Sequence, residues 1–184
     1  MGGNDLLKSL GQQGDAALDV VHRAVAVSAP VDLQIAAHQL DHGCNKLIYT
    51  RNFLSAMKSK VLKKIAAHDL DLDSRAIRAT LLSAKSIVFT RPPSMALKTQ
   101  MTYWIRSSSR PWLRHIKVPT LLINARNDPF FPGHALPKRG EVAEAVSLDY
   151  PASGGHLGFV SGRFPGELNW LSRRVLNFLG SDDK

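Results

Sequence analysis

Only one cysteine, Cys44, occurs in the 184 residues. A single thiol excludes an intramolecular disulfide and a cysteine-based zinc site, and it fits a reducing compartment. Long apolar runs are also missing. None approaches the roughly 20 residues that a bilayer span needs, so no integral membrane segment is expected. The opening Met1-Gly2-Gly3-Asn4-Asp5 has no basic stretch leading into an apolar one, so no secretory signal is read there. Leu6 stands where a myristoylation pattern needs Ser or Thr. The location expected from these absences is cytoplasmic. Internal repeats and low-complexity tracts are absent as well. What remains, at 44% hydrophobic and 21% charged, is the composition of one ordinary soluble domain rather than a disordered tail or a collagenous chain.

Acidic residues are few: 15 Asp and Glu face 24 Lys and Arg, a formal net charge of +9. Such a balance raises the question of a nucleic-acid or acidic-membrane partner. The distribution argues against nucleic acid. Only Lys58, Lys60, Lys63 and Lys64 cluster, beside apolar Val61, Leu62 and Ile65, which is the pattern of a solvated edge on an amphipathic helix. No zinc-finger spacing, aromatic RNA-binding signature or basic heptad accompanies them.

Along the chain, residues 5–13 read as a helix with Leu6, Leu7 and Leu10 on one face, stopped by Gly11 and Gly14. Ala24-Val25-Ala26-Val27 is a short apolar run ended by Ser28-Ala29-Pro30, suited to a buried parallel strand. Residues 32–73 are helical by pattern, with a break at Gly43. Ile77, Leu81 and Leu82 suggest a further helix, Arg91-Pro92-Pro93 ends anything regular, and residues 94–102 show no clear period. Residues 112–115 read as a turn or short helix. Residues 120–125 read as a strand leading into Arg126-Asn127-Asp128-Pro129, and residues 145–150 as another leading toward Gly154-Gly155-His156. Leu168, Leu171, Val175, Leu176, Phe178 and Leu179 mark a final amphipathic helix closed by Gly180. The sum is an α/β pattern with an all-helical insertion.

Asp128 and His156 each follow a predicted strand. In open α/β sheets, residues just past the carboxyl ends of strands gather at one edge, where ligands bind. A carboxylate that accepts a hydrogen bond from imidazole sets the ring's tautomer and stabilises the imidazolium formed when the ring takes a proton. Acid before histidine, late in the chain, is the order seen in α/β-hydrolases, where the nucleophile comes first. The plainer alternative stays open at this point: Asp128 shapes an Asn-Asp-Pro turn and His156 caps a loop.

Longer motifs add to this. Val118-Pro119-Thr120-Leu121-Leu122-Ile123-Asn124-Ala125 followed by Asn127-Asp128-Pro129-Phe130 resembles the acid-bearing segment of the YheT-type group of α/β-hydrolases. That group is related to the animal abhydrolase-domain acylglycerol lipases and the plant embryogenesis-associated proteins. Gly154-Gly155-His156-Leu157-Gly158-Phe159 resembles its histidine segment. Ser28-Ala29-Pro30-Val31-Asp32-Leu33 and Tyr49-Thr50-Arg51-Asn52-Phe53 resemble its strand-to-cap junction and first cap helices. The resemblance implies the C-terminal part of an α/β-hydrolase fold. About three parallel strands with flanking helices would form a core from residues 1–31 and 113–184, with a helical cap at about 32–112. It implies a serine carboxylic-ester hydrolase of the short-chain esterase or acylglycerol lipase type, acting on a small ester without cofactor or metal, with Asp128 and His156 as catalytic acid and base.

The resemblance also marks what is missing. The group carries its nucleophile in Gly-x-Ser-x-Gly-Gly-Asn, ahead of a helix with a Leu-Leu-Lys run. Here Met1-Gly2-Gly3-Asn4 precedes Leu6-Leu7-Lys8, and no Gly-x-Ser-x-Gly occurs elsewhere. By this alignment the nucleophilic serine would precede Met1, whose backbone N–H falls on an oxyanion-donor position. The chain alone is therefore expected to be inactive, with the strand at residues 24–27 as an uncovered apolar edge through which copies associate or aggregate. The group's usual Thr-Ala-Pro-x-His-Gly-Phe and acidic pair are replaced at residues 90–102, and agreement resumes at Tyr103-Trp104, a pattern that a compensated frameshift would produce. The alternative to a broken esterase is a non-enzymatic remnant or a basic binding module.

Other features carry weaker expectations. His38 and His42 stand four apart on a helix but lack the metalloprotease glutamate and a third ligand, so a solvated face is favoured over a metal site. Cys44 has no evident reactive partner. Trp104, Trp112 and Trp170 read as packing residues. Phe53, Leu54, Met57 and Met101 read as cap core in preference to an acyl slot.

Overall fold

The computed structural model describes residues 1–41, 97–163 and 166–181. The chain divides into two compact units, one of Met1–Asp32 with Ile105–Lys184 and one of Leu33–Trp104.

The first unit is built on a parallel sheet. Strands β1 (Ala24–Val27), β2 (Thr120–Ile123) and β3 (Val146–Asp149) lie in that order, with Ala24, Thr120 and Val146 in register. This is the α/β arrangement that the strand pattern predicts, and it is consistent with the partial α/β-hydrolase fold that the resemblance implies. All four residues of β2 are buried, as a central strand covered on both faces requires. Among the described residues, no strand pairs with the other side of β1.

The two faces are filled differently. Leu121, Ile123, Ala125 and Phe159 form a buried cluster, with Val25, Val27, Trp170, Leu171, Val175 and Phe178 packed on it. The last four come from helix Trp170–Leu179. Alternation along the strands sends Ala24, Ala26 and Leu122 to the opposite face. There helix α1 (Gly2–Gln13) buries Leu7 and Leu10. The small side chains of β1 let α1 come close: a Cβ on Gly3 would stand 3.0 Å from Ala29 Cβ and 3.7 Å from Ala26 Cβ.

Three elements differ from the sequence expectation. Gly11 does not stop α1, which runs on to Gln13 and ends at Gly14, where φ is 54°. Gly11 is buried in the helix because a Cβ there would stand 2.4 Å from the carbonyl oxygen of Trp112. Its role is close packing. Residues 94–102 show no clear period by themselves, yet Leu97–Ser107 form a helix, on which Leu97, Met101, Trp104 and Ile105 stand at helical spacing that continues past residue 102. Met101, Tyr103 and Ile105 are exposed on it. The last helix starts at Trp170, not Leu168, and leaves Leu176 and Leu179 exposed while Trp170 turns inward.

In the second unit, helix α2 (Leu33–Asp41) buries Leu33, Ala36 and Ala37. With α2 placed, helix Leu97–Ser107 is α3 and helix Trp170–Leu179 is α4. The lysine cluster, Gly43, Cys44, His42, Phe53, Leu54, Met57, the possible helix near Ile77 and residues 91–96 lie outside the described residues. No helix among the described residues is long and apolar enough to cross a membrane.

Candidate active site

Polar residues collect where β1, β2 and β3 end. Just past β2, the loop at residues 126–129 turns back on itself, and Asp128 Oδ1 accepts the backbone N–H of Phe130 at 2.8 Å. This local bond holds the carboxylate in its turn. The side chain of Asp128 is fully buried, while that of His156 is 37% exposed. Asp128 Oδ2 lies 2.9 Å from His156 Nδ1. A buried carboxylate can only accept there, so Nδ1 carries the proton and Nε2 is the ring nitrogen with a lone pair. The Phe130 ring and the imidazole pack in a T-shape, with centroids 4.5 Å apart and planes at 88°.

The histidine loop is held at several points. Phe159 N–H donates to the carbonyl oxygen of Gly154 at 2.9 Å. The buried Phe159 ring stacks on Trp170 at 5.4 Å and fastens the loop to the core. Gly154 leaves room for this ring, because a Cβ would stand 2.7 Å from Phe159 Cδ1 and 2.9 Å from Ala125 Cβ. Asn127 Oδ1 accepts the N–H groups of Gly154 and Gly155, each at 2.9 Å. Ser28, a non-glycine residue at φ 49°, donates its hydroxyl to the carbonyl oxygen of His156. Sequence reasoning noted the Asn-Asp-Pro turn and the two glycines but assigned no role to Ser28, Asn127 or Phe159.

Met1 is the N-cap of α1, its carbonyl oxygen accepting the N–H groups of Asn4 and Asp5 at 2.9 and 3.2 Å. Because Gly3 sits against Ala29, the residue after Ser28, the N-terminus of α1 lies at the same end of the sheet as Asp128 and His156. Helix N-termini favour negative charge. Asn4, buried in this first turn, donates to Ser107 O at 2.9 Å and accepts Ser109 N–H at 2.9 Å.

Behind the acid loop, Arg110 binds Glu141 Oε1 through Nε at 3.0 Å and Nη2 at 2.8 Å. The Lys138 N–H donates to the same carboxylate, and with the guanidinium it holds the Glu141 carboxyl below the usual carboxylate range. Tyr150, just past β3, donates to Pro137 O at 3.1 Å, and its burial pushes the phenol well above its ordinary value. Trp112 packs its backbone on Gly11, and Trp170 packs on Phe159. Among the described residues, no three His, Cys, Asp or Glu side chains gather as a metal site would require.

No protein-family model and no solved structure matches the chain. Among curated proteins it is similar to the candidate esterase YheT of Escherichia coli (strain K12), with 28% identity over 184 residues, 97% of this chain and 52% of that protein. It is similar to phospholipase ABHD3 of Mus musculus, with 26% identity over 186 residues, 97% of this chain and 43% of that protein. Monoacylglycerol lipase ABHD2 of Homo sapiens is 37% identical over 81 residues, 41% of this chain and 19% of that protein. The chain spans about half the length of the first of these relatives, the YheT protein. With the three-stranded parallel sheet, these likenesses indicate an α/β-hydrolase superfamily protein.

Proposed function

We propose that Asp128 and His156 are the acid and base of a serine carboxylic-ester hydrolase. Its nucleophile is not among these 184 residues, so this chain by itself does not turn over. The observation that carries the reading is the 2.9 Å contact from a fully buried carboxylate to His156 Nδ1, which leaves Nε2 to take a proton. In the full reaction a serine hydroxyl attacks the ester carbonyl while Nε2 accepts the hydroxyl proton. The imidazolium, stabilised by Asp128, then protonates the leaving alcohol, and water releases the acyl group by the same route. The chemistry as written needs no cofactor.

The oxyanion formed in both steps needs N–H donors. Met1's backbone position is proposed as one, supported by the location of α1's first turn beside Ala29. Substrates of short-chain or acylglycerol ester type are supported by the esterase, phospholipase and lipase names of the relatives. Residues at about 32–112 are proposed as the helical cap. The single cysteine supports a reducing, cytoplasmic setting. The side of β1 on which no strand pairs among the described residues is proposed as the edge through which copies of this chain associate.

A short-chain nitrophenyl ester assay tests the central reading. The 184-residue chain is expected to show no saturable hydrolysis, and saturable turnover abolished by His156→Ala would overturn the missing nucleophile. The nucleotides preceding the Met1 codon are expected to encode Gly-x-Ser. For the edge, sedimentation velocity should show a concentration-dependent increase in mass, and a single monomeric species at all loadings would refute it.

A further inference from the structure

We propose that Ser28 and Asn127 are positioning residues for His156, acting through the backbone of its loop, an inference that rests on reading Asp128 and His156 as acid and base. Three consecutive backbone sites are held by two side chains. Asn127 Oδ1 takes the N–H groups of Gly154 and Gly155, and the Ser28 hydroxyl binds the carbonyl oxygen of His156. Neither side chain is bonded to the imidazole. Two adjacent glycines give this loop wide backbone freedom, so fixing it needs partners from outside.

Those partners come from the ends of neighbouring strands. Ser28 N–H donates to Ile123 O at 2.7 Å, continuing the pairing of β1 with β2, so its turn is fixed at the sheet. At φ 49° it occupies the left-handed region that side chains avoid, and it is 95% buried, with a relative exposure of 5%. The strained backbone has a function here: it aims the hydroxyl at the histidine carbonyl. Asn127 immediately precedes Asp128, so one short loop carries both the carboxylate that faces the ring and the amide that grips the ring's loop. Any shift of that loop moves acid and histidine together and preserves their 2.9 Å contact.

The test uses the whole 184-residue chain labelled with nitrogen-15 histidine, reading the His156 Nδ1–H proton by NMR, with assignment by its loss in Asp128→Asn. Asn127→Ala and Ser28→Ala are each expected to speed exchange of that proton with solvent by about tenfold or more. Asn127→Asp keeps an acceptor oxygen and is expected to return the rate to within about twofold of the parent. Ser28→Gly relaxes the backbone but lacks the hydroxyl, so it is expected to behave like Ser28→Ala.

Parent-like exchange in both alanine variants, with the β2 amide signals unchanged, overturns the proposal. So does recovery in Ser28→Gly, which would assign the effect to backbone strain alone. If Ser28→Ala does not fold, the exposed Asn127 pair decides. A parent chain that shows no such proton, or keeps it in Asp128→Asn, defeats the acid–histidine reading itself and the positioning roles with it.

Discussion

The acid loop and the histidine loop meet at one contact, yet they are built on opposite plans. The acid loop is self-contained. Asp128 is buried and its carboxylate closes its own turn on Phe130 N–H. The Arg110–Glu141 pair ties down the chain that follows. The histidine loop has little of its own to hold it. It is rich in glycine and partly exposed, and it depends on Asn127, Ser28 and the buried ring of Phe159. The His156 side chain is 37% exposed, and an exposed ring cannot be fixed by its own burial. The fixing is transferred to the backbone around it.

Mutations can break this contrast in order of size. Phe159→Ala should cost about 3–5 kcal/mol, since it deletes the ring that joins the histidine loop to the core. Urea unfolding measures it, and a loss below about 1 kcal/mol would mean that the loop is anchored elsewhere. Gly154→Ala should cost about 1–3 kcal/mol, because the added methyl meets Phe159 and Ala125 in a place where neither can move freely. Asp128→Asn should change stability by only about 1 kcal/mol, as Asn can still accept Phe130 N–H. Its NH2 group, however, would then face Nδ1 and shift the ring proton to Nε2, taking away the lone pair that the proposed base would use.

The smallest effect should come from the acid side's flank. The folded state holds the Glu141 carboxyl below its ordinary value. Its contribution is therefore complete above the unfolded value of about 4.3 and fades as pH falls through the lower, folded one. Glu141→Gln should destabilise slightly at neutral pH, and the difference should vanish in acid. Urea midpoints at pH 7 and pH 3 check this. A difference that grows in acid would reverse the assignment.

Much of the frame was legible because Ala24–Val27 and Thr120–Ile123 lie within short apolar runs, as buried parallel strands do, while Val146–Asp149 shows the period-two alternation of a strand with one exposed face. Polar residues placed just after them drew attention to Asp128 and His156. What was illegible had a different physical basis. Gly11 was read as a stop, since a lone sequence does not distinguish a glycine that breaks a helix from one that admits a neighbour's backbone. Helix α3 carries Leu97, Met101, Trp104 and Ile105 at helical spacing, a period that a window closing at residue 102 cuts in two. Ser28 and Asn127 act on backbone groups, and bonds of that kind leave no periodic trace along a chain.

The hydrogen bond from Arg110 N–H to Val31 O, 3.0 Å long, has a consequence for how the chain tolerates change. The polypeptide leaves the first unit after Asp32 and re-enters it at Ile105, and within that unit Val31 and Arg110 are tied directly to each other. With exit and return fixed on each other, a change in the length of chain between residues 33 and 104 costs little in loop closure, about 0.6 kcal/mol per doubling.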